Sequence, residues 1–245
     1  MSIAPRLIFH AGMLLAFAFA SSCVSFSSLQ SARTLKPNKA SFFAALGYES
    51  LVIERSRGLD SSTEKSIERV KIPIFEYGFR YGVLKRLDIG LRTATLSSSV
   101  IDLKYALSSG PDLATAAGLG VGYGSIKASD YSARYIDVHV PFYTTYDFAS
   151  WSSIFLVPRF VYRHSSTTFY TESTTYGAAL LGGSVGFIFG EKIALVPEVS
   201  YFKDAALAGD SGIMQVMVGL AFGLDNLDRE SVEPGSRPAG PKRKI

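Results

Sequence analysis

The chain has 245 residues, enough for one large all-β domain, and is 47% hydrophobic and 13% aromatic but only 19% charged, against about 25% charged in an ordinary soluble domain. The formal charge of +4 is carried by the ends: residues 40–224 hold 16 Lys+Arg against 17 Asp+Glu, a net of −1. This excludes nucleic acid as a partner, since such a binder needs a basic face on its folded body, and the lone cysteine, Cys23, excludes an intramolecular disulfide.

Residues 1–22 read as an export signal peptide: Arg6 gives the positive start, Leu7 to Ala20 the apolar stretch, and Ala20-Ser21-Ser22 the small residues of a cleavage site. The apolar stretch is too short to span a membrane, which takes about 20 residues. Cys23 follows directly, and Ala20-Ser21-Ser22-Cys23 resembles the lipobox of bacterial lipoproteins, with Ala20 where that motif usually has Leu. The resemblance implies lipidation of Cys23. The other reading is an ordinary signal-peptidase site nearby. The polar, Ser-rich run that follows suits a tether, so 23–39 is expected to be a lipidated linker between anchor and body.

From residue 40 the chain alternates. In 87–95, Leu87, Ile89 and Leu91 take one face while Asp88, Gly90, Arg92 and Ala94 take the other. Only an extended chain converts a period of two into two faces. Ile101, Leu103, Tyr105 and Leu107 repeat the pattern, as do Leu119, Val121 and Tyr123, and Ile136, Val138, Val140 and Phe142. Ten strands are expected near 40–54, 70–83, 87–96, 99–108, 113–125, 133–148, 153–164, 177–189, 193–203 and 213–224. Most are longer than the usual soluble strand of about 5–6 residues and reach the tilted membrane-crossing length of about 9–11. The longest charge-free run, 173–190, has five glycines and strand-like alternation, which argues against a membrane helix.

The second face of these strands is small or ionic. It includes Glu76, Arg80, Asp88, Arg92, Asp102, Lys104, Asp137, His139, Arg159, Arg163 and Glu198, expected as an interior charge network because charges shut away from water must pair. His139 and Asp137, two residues apart on one strand face, are expected near Arg163 across a hairpin, as part of this network or, in the alternative, as a buried acid–base group, and Arg92 is expected to face Asp102. Alternation alone does not separate a barrel wall in lipid from a soluble sandwich core. The connections do. Of the expected outer loops at 55–69, 97–98, 126–132, 165–176 and 204–212, four exceed every turn at 84–86, 109–112, 149–152 and 190–192, the habit of a barrel with long outer loops and short periplasmic turns. The expected fold is a closed antiparallel up-and-down transmembrane β-barrel of about 10 strands, with 8 as the alternative.

Two runs carry a family likeness: Glu76-Tyr77-Gly78-Phe79-Arg80-Tyr81-Gly82, and the last strand, Val216-Met217-Val218-Gly219-Leu220-Ala221-Phe222-Gly223-Leu224. With them the body resembles the small bacterial outer-membrane β-barrel proteins, and Cys23 makes it similar to a lipoprotein member of that class. The resemblance implies residence in the outer membrane with both termini periplasmic. It also implies contact with outer-membrane lipid and lipopolysaccharide, and recognition of the last strand by the outer-membrane assembly machinery. Residues 225–245, with four acids, five bases and three prolines, are expected to be a disordered periplasmic tail. Pro73, Pro141, Pro158 and Pro197 fall within strands, where a missing ladder donor calls for bulges.

No phosphate loop, metal-spaced Cys/His cluster or nucleophile elbow is present, so no cofactor and no metal is implied. The spacing of two in Gly118-x-Gly120-x-Gly122-x-Gly124 reads as a strand face clearing room inside the barrel. His164 and Ser165, with Asp130, Glu172, Asp204 and Asp210 on other outer loops, are the residue types of a rim hydrolase. The aromatics Tyr146, Phe148 and Trp151 at one end, and Tyr162, Tyr170 and Tyr176 at the other, suit interface girdles. The functional expectation is a structural or surface-interaction role through extracellular loops, toward a ligand or host partner the sequence does not name. A narrow, porin-like passage for small solutes is the alternative, and the rim hydrolase the second alternative.

Overall fold

The structure, a computed structural model, describes residues 26–57, 64–95, 97–128, 131–169, 172–205 and 212–228. Period-two alternation becomes ten antiparallel strands: β1 Ala40–Arg57, β2 Glu64–Leu84, β3 Leu87–Ala94, β4 Ser99–Ser109, β5 Leu113–Ala128, β6 Tyr131–Ala149, β7 Ser152–Phe169, β8 Glu172–Phe189, β9 Ile193–Asp204 and β10 Gly212–Phe222. Each pairs with its neighbours in sequence, and β10 returns to β1 from Phe42↔Phe222 to Leu51↔Ile213, so the sheet is a closed barrel. Closure gives every strand a partner on both sides, the only way strands cross hydrocarbon.

The apolar rows face outward. Ile89 and Leu103 are 37% and 46% exposed, and Val138 lies in the same outward row of β6. In a two-sheet sandwich these side chains would be sealed between layers. Along β7 the outward row runs Ile154, Leu156, Pro158, Phe160, Tyr162 before turning polar at His164, a band of about 20 Å at roughly 3.3 Å per residue and a tilt of about 40°. Exposed Tyr48, Tyr123, Tyr162 and Tyr201 edge the band at one end, and Phe42, Tyr146, Phe148, Trp151 and Phe222 at the other.

The wall has two heights. The strand pairs β1–β2, β5–β6 and β7–β8 continue well past the apolar band, whereas β3, β4, β9 and β10 stop near it. Residues expected as long loops at 55–69, 126–132 and 165–176 are therefore largely ladder: β7 and β8 stay paired from Ser165↔Tyr176 to Phe169↔Glu172. In 165–176 the Thr, Tyr and Phe content favours strand over loop, and the sequence reading ended these strands early because the outward row of β7 loses its apolar residues there.

The prolines also differ from expectation. The register shifts lie at the short-turn end, between Gly82/Leu84, Ala106/Ser108 and Asp147/Ala149. At Pro141 the β5–β6 ladder skips from Ala117↔Phe142 to Gly120↔His139 without changing register, and Pro158 and Pro197 face similar gaps. Pro73 lies beyond the end of β3, where β2 has a neighbour on one side only. A missing N–H is thus absorbed by leaving out a rung instead of by adding a residue.

Candidate functional site: an occupied lumen

Alternation turns every second side chain inward, and those positions carry the acids, bases and glycines. Glu76, Arg80, Asp88, Arg92, Asp102, Lys104, Asp137, His139, Arg159, Arg163 and Glu198 are all buried in the lumen wall. They divide into layers. Near the short-turn end Arg80 pairs with Asp88 (2.9 Å) and with Asp102, and Lys104 lies 3.6 Å from Asp88. Gly90 stands between Arg80 and Asp102 in the row across β2, β3 and β4. A Cβ there would come within 2.8 Å of Arg80 Nη2 and 2.9 Å of Asp102 Oδ2, so glycine is what lets the pair meet. Arg92, expected beside Asp102, is instead in register with Val100.

Nearer the long-loop end Arg163 forks Asp137 through Nε (2.7 Å) and Nη2 (2.8 Å), Ser98 donates to the same carboxylate (2.8 Å), and the Arg163 guanidinium lies 4.5 Å from the Tyr135 ring centroid. Tyr135 needs Gly124 opposite it, where a Cβ would fall 2.2 Å from the ring. His139 shares the face of Asp137, but neither of its ring nitrogens has a hydrogen-bond partner among the described residues.

The middle layer is bonded to a piece of chain. Residues 26–35, read from sequence as part of a tether, run inside the barrel, and every one of them is buried. The side chains of about eight strands just fill a barrel; ten strands with inward Ala and Gly leave a channel, and this strap fills it. Its backbone has no ladder of its own and needs partners, and the wall supplies them by polarity. Gln215 accepts the Phe26 N–H (2.8 Å), and the two oxygens of Glu198 accept the N–H groups of Ser28 (2.6 Å) and Leu29 (2.5 Å). Thr145 accepts Ala32 N–H (2.7 Å), and Asp88 accepts Leu35 N–H (3.2 Å). Of the carbonyls, Phe26 receives Ser184 and Ser200 (3.1 Å each), and Ser31 and Arg33 both receive Lys104 (2.9 Å each). Ser27 receives both Arg92 and Arg159.

Side chains add to this. Phe26 stacks on Phe202 with centroids 4.3 Å apart, Ser27 donates to Glu76, and Arg80 donates to Gln30. Arg33 reaches Asp147 (2.6 Å) and the Gly110 and Pro111 carbonyls. Leu29 has φ 46°, a left-handed conformation costly for a branched residue. It turns two successive N–H groups onto one carboxylate, the geometry of an anion nest. Below the strap, Asp228 N–H bonds the Thr34 carbonyl (2.7 Å), Lys36 N–H bonds the Asn226 carbonyl (2.9 Å), and Leu35 bridges Leu227. Residues 225–228, taken from sequence as the start of a disordered tail, thus close the short-turn end.

The rim residues do not assemble. His164 and Ser165 are neighbours on β7 and point to opposite faces, His164 outward and Ser165 inward onto the Tyr176 carbonyl (3.3 Å). Asp204 accepts from the Tyr176 hydroxyl (3.1 Å), and Glu172 is exposed at the hairpin end. Asp130, Tyr170, Asp210, the export signal and Cys23 lie outside the described residues. Among the described residues no group of three or more His, Cys, Asp and Glu side chains could hold a metal ion.

Solved structures resemble this barrel in fold. The outer-membrane protease OmpT of Escherichia coli is similar over 80% of this chain and 99% of its own, at 12% identity and a TM-score of 0.49. Ail, the attachment invasion locus protein of Yersinia pestis, is similar over 75% of this chain and 98% of its own, at 10% identity and 0.39. The translocator domain of the autotransporter NalP from Neisseria meningitidis covers 89% of this chain and 97% of its own, at 10% identity and 0.39. No protein-family model and no curated protein matches the sequence.

The strap is what sequence reasoning missed. Phe26, Leu29, Ala32 and Leu35 recur every third residue, a faint apolar thread in a run otherwise typical of a linker, and the small residues on the strands' inner rows left space that had no tenant.

Proposed function

We propose that this chain is a shut barrel of the bacterial outer membrane that works by contact, presenting its tall wall outside the cell. The observation that carries this reading is the pairing of a filled lumen with polar, exposed strand extensions. Beside the strap, Leu29, Ser31, Arg80 and Lys104 line a cavity of about 20 Å³ with Leu224 and Leu227, room for about one water, whereas β7 and β8 project a Ser/Thr-rich ladder beyond the apolar band. The outward apolar rows with aromatic edges support the membrane setting. The short turns and residues 224–228 then face the periplasm. A permanently open pore fits poorly with a tenant in the lumen, and a rim hydrolase with His164 and Ser165 on opposite faces.

An epitope inserted after Tyr170 should be stained on intact cells, and the purified protein should give no stepwise current in planar bilayers. Staining only after permeabilisation, or steady open-channel current, would refute the proposal. Acylation of Cys23 belongs to the same reading: radioactive palmitate should label the wild-type chain and spare Cys23→Ser.

A further inference from the structure

The wall around Ser27 offers more donors than the strap uses. Arg92 on β3 and Arg159 on β7 approach from opposite sides of the ring and meet on one carbonyl oxygen. Among the described residues, Nε of Arg92, Nε and Nη1 of Arg159, and both ring nitrogens of His139 have no hydrogen-bond partner. These side chains are 6%, 4% and 2% exposed. Among the described residues neither arginine forms an ion pair, whereas Arg33, Arg80, Lys104 and Arg163 each do. Both guanidinium groups bond neutral oxygens, the Ser27 carbonyl and, for Arg159, also Ser28 Oγ, while Glu198 and Glu76 supply the negative charge nearby; their planar forks match an oxyanion better than these neutral acceptors.

We infer that Arg92 and Arg159, with His139 beside them, form a binding site for a small oxyanion, phosphate or carboxylate in type, and that the Ser27 carbonyl is its resident stand-in. An anion reaching the site displaces the strap from the middle of the lumen. The exchange is balanced by physical terms already described. A charged acceptor bonds guanidinium about twice as strongly as a neutral one, and departure of the strap relaxes the left-handed Leu29. Against it stand the Phe26 stack and the N–H bonds to Glu198. This goes beyond the contact reading and does not depend on it, since the site lies within the lumen.

The test uses the full chain in lipid vesicles, carrying Ser31→Cys in a Cys23→Ser background, and a membrane-impermeant maleimide. Ser31 is 4% exposed, so labelling reports departure of the strap. Phosphate and, in a separate arm, acetate are expected to raise the labelling rate several-fold and saturably, while chloride at equal ionic strength leaves it unchanged. Glu198→Gln should lower the concentration needed, by loosening the strap and removing a carboxylate that competes for Arg159. Arg92→Gln/Arg159→Gln should abolish the response to phosphate. Each variant is scored only if its gel mobility still shifts on boiling, and the wild-type arginines alone suffice to refute the inference. Non-specific phosphate, excluded from protein surface, favours burial and would slow labelling. A rate that falls, stays flat or rises equally with chloride overturns the site, as does an undiminished response in the double variant.

Discussion

The lower and middle layers of the lumen solve the same problem in different ways. Below, Arg80, Asp88, Asp102 and Lys104 neutralise one another, and the strap adds bonds from Gln30, Ser31, Arg33 and Leu35 to a layer whose charges are already paired. In the middle, Arg92, Arg159, Glu198 and Gln215 take backbone groups of residues 26–29 as partners, and Arg92, Arg159 and Gln215 keep further nitrogens without a partner among the described residues. Self-paired charges specify a barrel; guest-paired charges specify a barrel with something in it. Recognition in the middle layer falls mainly on N–H and C=O groups, which makes the presence of a strap matter more than most of its side chains.

The sharpest way to break this contrast is Arg80→Met. It strips Asp102 of its only ion-pair partner among the described residues and is expected to cost about 3–5 kcal/mol, read as a lower urea midpoint of the boiling-sensitive band. Phe26→Ala removes a fully buried ring and should cost about 3 kcal/mol. Glu198→Gln weakens two charge-assisted N–H bonds and is expected to cost about 2 kcal/mol. Ser184→Ala deletes neutral bonds to the Phe26 carbonyl and the Ser200 hydroxyl and should cost about 1 kcal/mol. A chain lacking 26–35 sharpens the comparison: the Glu198→Gln penalty should largely vanish in it while most of the Arg80→Met penalty persists, because Arg80 loses only its Gln30 bond with the strap and keeps Asp88 and Asp102. Equal penalties in both backgrounds would show that the two layers are one.

Much of this wall was legible in advance. Alternation at Leu87 to Ala94 and Ile101 to Leu107 placed each side chain on its face, since strand geometry leaves no other choice. The Asp137–Arg163 pair lay within reach because it spans one hairpin. Register between strands was less accessible: shifting two residues along the ladder gave Asp102 to Arg92, when Gly90 opens the way for Arg80. The strap was invisible because a single polar segment inside a barrel has no periodic partner; its order comes from ten walls at once. The extended hairpins were cut short because polarity was taken for loop, although outside the membrane both faces of a ladder can be polar.

Residues 224–228 bear on how the ring is joined. The β1–β10 seam brings together segments some 170 residues apart, so its loop-closure cost exceeds that of any hairpin in the wall. Just beneath it, Gly223 turns with φ 79°, and the next residues tie Thr34 and Lys36 to Asp228 and Asn226. That short turn acts as a latch across the joint. Shortening the chain to end at Gly223 should leave ten strands in place yet speed amide exchange in β1 and β10 ahead of β6 and β7, as a zip frays first where its stop has been removed.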